Sequence, residues 1–144
     1  MRRAMAAMLG ATAIALPTAN AWASATAQTA KTRIVVKTKS FTGLSSVIDR
    51  WGFMQVTIVV KKTTASNLAT KRKTVRRKIT SVRVPIYPNH TDRSVYINQT
   101  ALPTLIQETI RSNGSAINMV SGATESSDGF AQSLHSAILK ARAW

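Results

Sequence analysis

The residues best placed to do chemistry are Ser121-Gly122-Ala123-Thr124-Glu125-Ser126, a run of small side chains between the apolar residues 117–120 and a helix-like C-terminus. One hydroxyl, on Thr124, stands where an extended segment hands over to a helix, with almost no bulk to block an approaching group. Local chemistry allows two readings. In the first, Gly122 turns the backbone tightly, and the N–H groups and positive dipole end of the next helix receive a phosphate. In the second, the run is an ordinary turn ahead of a capped helix.

Other reactive residue types are scattered. His90 and His135 are far apart and lack a nearby carboxylate at metal-ligand spacing, so both read as surface residues. The five acids, Asp49, Asp92, Glu108, Glu125 and Asp128, show no paired spacing for acid–base work, and nothing resembles a G-x-S-x-G nucleophile elbow. The chain has no cysteine, which excludes disulfides, thiolate metal sites and thiol redox chemistry. Sequons at Asn89, Asn98 and Asn113 would matter only in a eukaryotic secretory pathway.

Charge is the strongest compositional signal: 144 residues carry 20 Lys and Arg against 5 acids, a net +15. Six cations, Lys71, Arg72, Lys73, Arg76, Arg77 and Lys78, occupy eight consecutive positions. Residues 63–78 contain no aromatic side chain for base stacking, so nucleic acid is not the expected partner. Two alternatives stay open for this run. It is a solvated hairpin loop extended by self-repulsion, or a contact for anionic lipid, cell wall or an acidic redox partner.

The elements that must position these residues begin after a leader. Arg2 and Arg3, an apolar run over 4–16, Pro17 and small-residue A-x-A sites ending at Ala23, Ala25 or Ala27 have the layout of a secretory signal peptide, residues 1–23. The expected location is therefore the periplasm or the extracellular cell envelope. Residues 24–50 read as a linker with a first strand at 34–37. The domain proper is expected over 51–144. Within it, 51–62 form a strand with Val56, Ile58 and Val60 on one face, and 79–86 a second with Val82, Val84 and Ile86 alternating. The basic insertion at about 63–78 joins them as an antiparallel pair, and Pro85 marks a strand end or edge.

From about Thr100 the period becomes helical. Leu102, Leu105, Ile106 and Ile110 share a face, Pro103 falls in the first turn, and Ser112, Asn113 and Gly114 supply the stop. A short strand is expected at 117–119. A last helix follows, capped by Ser126, Ser127 or Asp128, with Phe130, Leu134, Ala137, Ile138 and Ala141 inward. The order predicts an α+β fold, a small antiparallel sheet packed against helices.

With its flanks in order, the Ser-Gly-Ala-Thr run resembles the FMN-binding domain family, which is related to the flavin-carrying periplasmic domain of the sodium-pumping quinone reductase. That family places a Leu-Pro helix ahead of an Asp-x-x-Ser-Gly-Ala-Thr-x-Thr/Ser motif and a final helix of Ser-Leu-x-x-Ala-Leu character. The matching residues are Leu102-Pro103, Ser121 to Thr124 with Ser126, Ser133-Leu134 and Ala137-Ile138. Residues 54–60 and 78–88 resemble its opening strand pair. Asn118 stands where the family has Asp, and the basic insertion is unusual for it.

The resemblance implies FMN joined to Thr124 through a phosphoester, installed from FAD by a magnesium-dependent flavin transferase. It implies Ser121, Gly122 and Ala123 as clearance for the ribityl chain and a helix start near Ser126 facing the phosphate. Leu102, Pro103 and Met119 would form the apolar wall for the ring, and Asn118 would hold the position tied to transferase recognition. The implied function is an exported electron carrier, not an enzyme in itself, serving a membrane redox partner. A basic cell-envelope binding module without flavin is the alternative from another class.

Overall fold

Alternating aliphatic residues make Gly52–Asn67 the strand around which the molecule assembles. The computed structural model describes residues 32–144. The expected leader and the first part of the expected linker lie outside the described residues. The elements are β1 (Thr32–Thr42), β2 (Ser46–Ile48), a 3₁₀ turn (Asp49–Trp51), β3 (Gly52–Asn67), β4 (Lys73–Ile86), α1 (Asp92–Ser112) and α2 (Thr124–Arg142). The fold is α+β, as expected: a four-stranded antiparallel sheet with two helices.

Every strand pair includes β3. It takes β1 along Thr57–Asn67, β2 along Gly52–Met54 and β4 along Gln55–Ser66. Met54, Val56, Ile58 and Val60 are buried and form the core with Phe41, Leu105, Phe130, Leu134 and Ala137. On β4 the register slips opposite Val59 and Val60, so that Ile79 and Val82, three apart, both reach the core. Val82 and Val84 both turn to the core as expected, but a second irregularity opposite Gln55 and Thr57 interrupts the alternation and Ile86 is exposed.

Two side chains fasten the helices to the sheet. Ser133 Oγ on α2 accepts the Val56 N–H at 2.9 Å inside the core. Gly43 lies against this serine so closely that a Cβ there would overlap the Ser133 carbonyl oxygen. At the end of α1, Asn113 adopts the left-handed conformation (φ 54°). Its Oδ1 accepts from Ile79 N at 2.7 Å and its Nδ2 donates to Arg77 O at 3.1 Å, tying α1 to β4.

Several expectations are corrected. β1 and β2 belong to the sheet rather than to a linker, and the short strand at 34–37 is part of an eleven-residue one. The basic insertion is not a loop. Both strands continue through it, leaving only 68–72 as the turn, where Asn67 Oδ1 accepts from Ala69 N and Thr70 N at 2.9 and 3.1 Å. Threonine and valine inside the run suit an extended backbone despite the charge.

The first helix begins at Asp92, not near Thr100, because Thr91 Oγ accepts from Ser94 N at 3.1 Å and caps it. Pro103 is therefore interior and leaves the Gln99 carbonyl without its helical donor, on the exposed side of the helix. Residues 117–119 are irregular rather than a strand; Ile117 and Val120 pack on the core and Met119 faces solvent. Among the described residues no helix is long and apolar enough to cross a membrane.

Candidate functional site

Gly122 has φ +79°, and Ala123 N donates to Val120 O at 3.0 Å, closing a turn that places glycine third. A Cβ at Gly122 would meet nothing within 4 Å, so glycine is required by backbone conformation and not by space. The helix begins at once, with Ala123 as N-cap and Thr124 as its first residue. Alanine offers no acceptor, so no side chain caps the first-turn N–H groups. This corrects the expected caps. Ser127 is instead buried one turn in; its Oγ donates to Ala123 O at 2.8 Å and accepts from Val120 N at 3.1 Å, bracing the turn from within.

The uncapped turn opens on a cavity of about 570 Å³, within the range of small-molecule sites. Ile48, Trp51, Pro88 and Ile97 give it apolar walls. Arg50 and Arg93 supply cations and Asp49 and Glu125 carboxylates, so its charged lining is balanced. Trp51 has the Arg50 guanidinium 5.1 Å from its ring centre and the stacked His90 ring at 6.2 Å. The first turns of both helices border the same space. Their N-terminal dipole ends favour an anion there.

Asn98 is the telling residue. It is 1% exposed, and its Nδ2 donates to the Pro88 carbonyl at 2.9 Å. Its Oδ1 is buried with no hydrogen-bond partner, and the residue lines the cavity. A buried amide oxygen left unpaired costs about 1–3 kcal/mol, which a ligand donor would recover.

Of the residues singled out in the sequence, Gly122, Ala123, Thr124 and Ser126 border this cavity. Thr124 is exposed. Ser121 is exposed in the turn and does not line the cavity. Leu102 is buried in the core, Pro103 sits on the outer side of α1 and Met119 is 58% exposed, so none of the three forms the expected apolar wall. Asn118 points to α1, donating from its backbone N and its Nδ2 to Glu108 at 2.9 and 3.4 Å. An aspartate at 118 would set a carboxylate against Glu108, which gives a local reason for asparagine there.

Sequence reasoning missed Asn98, Arg50, Trp51 and Arg93. Asn98 carried a usable signal: with the helix begun at Asp92 it falls on the stripe of Ser94, Leu102 and Leu105, a polar residue on a buried face. Arg50 and Trp51 reach the site only through the tight β2–β3 connection, which local pattern does not reveal. His135 is exposed on α2, and among the described residues no cluster of His, Asp or Glu could hold a metal ion. No protein-family model matches the chain, and no curated protein matches it.

Proposed function

We propose that the protein is an exported electron carrier that holds FMN in this cavity, its phosphate esterified to Thr124. The observation that supports this reading is a convergence on one cavity: the Thr124 hydroxyl on an uncapped helix start and the unpaired, buried Asn98 Oδ1. The donor set fits the group. First-turn N–H groups of α2, with Arg50 and Arg93, suit the phosphate. Asp49 and Glu125 can accept from ribityl hydroxyls, Asn98 Oδ1 can accept from a flavin N–H or O–H, and Trp51, Ile48 and Ile97 offer the ring an apolar wall.

Attachment would join Thr124 Oγ to the FMN phosphorus of FAD, with AMP as the leaving group and the hydroxyl proton passing to solvent. The flavin transferase would supply the magnesium. Once bound, the flavin brings one- and two-electron redox chemistry that no side chain here possesses. The chain's own part is to bind, orient and partly desolvate it between a membrane redox partner and an acceptor. FMN should bind the unmodified protein more tightly than riboflavin, and Arg93→Gln should weaken FMN without changing riboflavin. Equal affinity for the two flavins, or none for either, would count against the proposal.

A further inference from the structure

Away from the cavity, the strands run on past the aliphatic core into a basic ribbon. Its register sets like charges side by side: Lys37 beside Lys62 and Lys62 beside Arg77 on the core side, and Lys61 beside Lys78 on the other. Arg33, Lys71, Arg72, Lys73 and Arg76 complete the charge at this end, and no acid occurs in 32–48 or 50–91. Like charges directly opposite on neighbouring strands are destabilising, so the free protein carries a cost here that a polyanion would remove. Arg77 Nε is buried without a hydrogen-bond partner. Lys62 Nζ donates to the main-chain oxygen of Trp144 and lies 4.9 Å from the centre of its ring. Partial desolvation holds the Lys62 ammonium below the usual lysine range, and Arg77, Lys73 and Lys37 push it the same way.

The same end exposes aliphatic side chains. Leu68 at the turn is 63% exposed and Ile34 on β1 is 64% exposed; Val36, across from Thr63 and Arg76, is also exposed. Thr32 pairs with Asn67 beside the turn, which brings the start of β1 to this end. An anionic bilayer offers what these residues need together: phosphates for the cations and, a few ångströms deeper, an apolar layer for Leu68 and Ile34. A nucleic acid offers the first and not the second. The ribbon also lacks the aromatic platform that single strands stack on, since Phe41 is buried at its root.

We infer that this basic, aliphatic-tipped ribbon docks the protein on an anionic lipid bilayer, through Lys and Arg of all three strands and with Leu68 at the membrane interface. The inference is independent of the flavin reading, since the cavity and the ribbon share no residue.

Cosedimentation of the full chain with vesicles tests it, using pure phosphatidylcholine and an equimolar phosphatidylcholine–phosphatidylglycerol mixture, with duplex DNA as a soluble polyanion control. Binding is expected on the mixed vesicles and not on pure phosphatidylcholine, and should weaken with salt. Each neutralised cation among Arg72, Lys73, Arg76 and Lys78, all exposed, should weaken partition about fivefold. Leu68→Asn should weaken vesicle binding about tenfold and leave DNA binding unchanged. No preference for the mixed vesicles would overturn the inference. So would a Leu68→Asn variant that binds them like the parent, which would leave a general polyanion contact. Unchanged melting of the variants keeps either result from being a folding artefact.

Discussion

Asn98 and Pro88 are joined one way only: the asparagine amide donates to the proline carbonyl at 2.9 Å, while its own Oδ1 stays buried and unpaired at the cavity wall. The side chain is thus fixed by one hydrogen bond and keeps an unused acceptor on a residue that lines the cavity. Asn98→Ala should lower stability by about 1–3 kcal/mol, because the Pro88 carbonyl loses its donor, and should weaken FMN binding as well. Chemical denaturation and flavin titration of the same variant separate the two effects. Flavin affinity that stays at the parent value would show that Oδ1 does not meet the ligand.

Two glycines should respond differently. Gly122→Ala forces alanine to φ +79° in open space, a conformational cost of about 1–2 kcal/mol, with its main effect on the turn that presents Thr124. Gly43→Ala drives a methyl into the Ser133 carbonyl beneath β1 and should destabilise the whole fold by about 1–3 kcal/mol or more, with no specific effect on flavin. Melting temperature and flavin content, compared across the pair, check this.

Ser127 braces the turn and Ser133 braces the sheet, so their alanine variants should also differ. Ser133→Ala leaves the buried Val56 N–H unpaired and should cost about 1–3 kcal/mol of global stability. Ser127→Ala should cost about 1 kcal/mol and reduce covalent loading at Thr124, read by intact mass, by freeing Val120 and Ala123.

The Lys62 ammonium titrates below the usual lysine range because of partial desolvation and the like charges of Arg77 and Lys73 on β4 and Lys37 on β1, with the Trp144 main-chain oxygen accepting from it. A lowered folded-state pKa means that the unfolded chain binds more protons across the interval between the two values, so stability rises with pH through that interval. The stability difference between the parent and Lys62→Met should therefore shift in the parent's favour as pH rises toward the ordinary lysine pKa. Denaturation midpoints of both proteins through the alkaline range measure it, and a flat difference would contradict the assignment.

The parts of this fold legible in the sequence are those where burial imposes a period. Val56, Ile58 and Val60 alternate because one face of β3 meets the helices, and Phe130, Leu134 and Ala137 recur at helical spacing for the same reason. The basic ribbon was illegible as strand because both its faces meet solvent, which removes the alternation while leaving the backbone pairing intact. The start of α1 was hidden by its own cap, since Thr91 and its polar neighbours look like loop until Ser94 N is seen bonded to the threonine. At the site, the Gly122 turn and Thr124 were readable from local chemistry. The walls were not, because Arg50, Trp51, Arg93 and Asn98 come together only through tertiary packing.

The central claim is that the Thr124 hydroxyl carries the flavin. Its most direct test is intact mass together with visible absorbance of the full chain, produced in an exporting host with its flavin transferase. The expected result is a mass increase of one FMN less one water, with yellow absorbance that survives denaturation, and the loss of both in Thr124→Val. A colourless protein of unmodified mass under those conditions, or a Thr124→Val variant that stays yellow after denaturation, would contradict it.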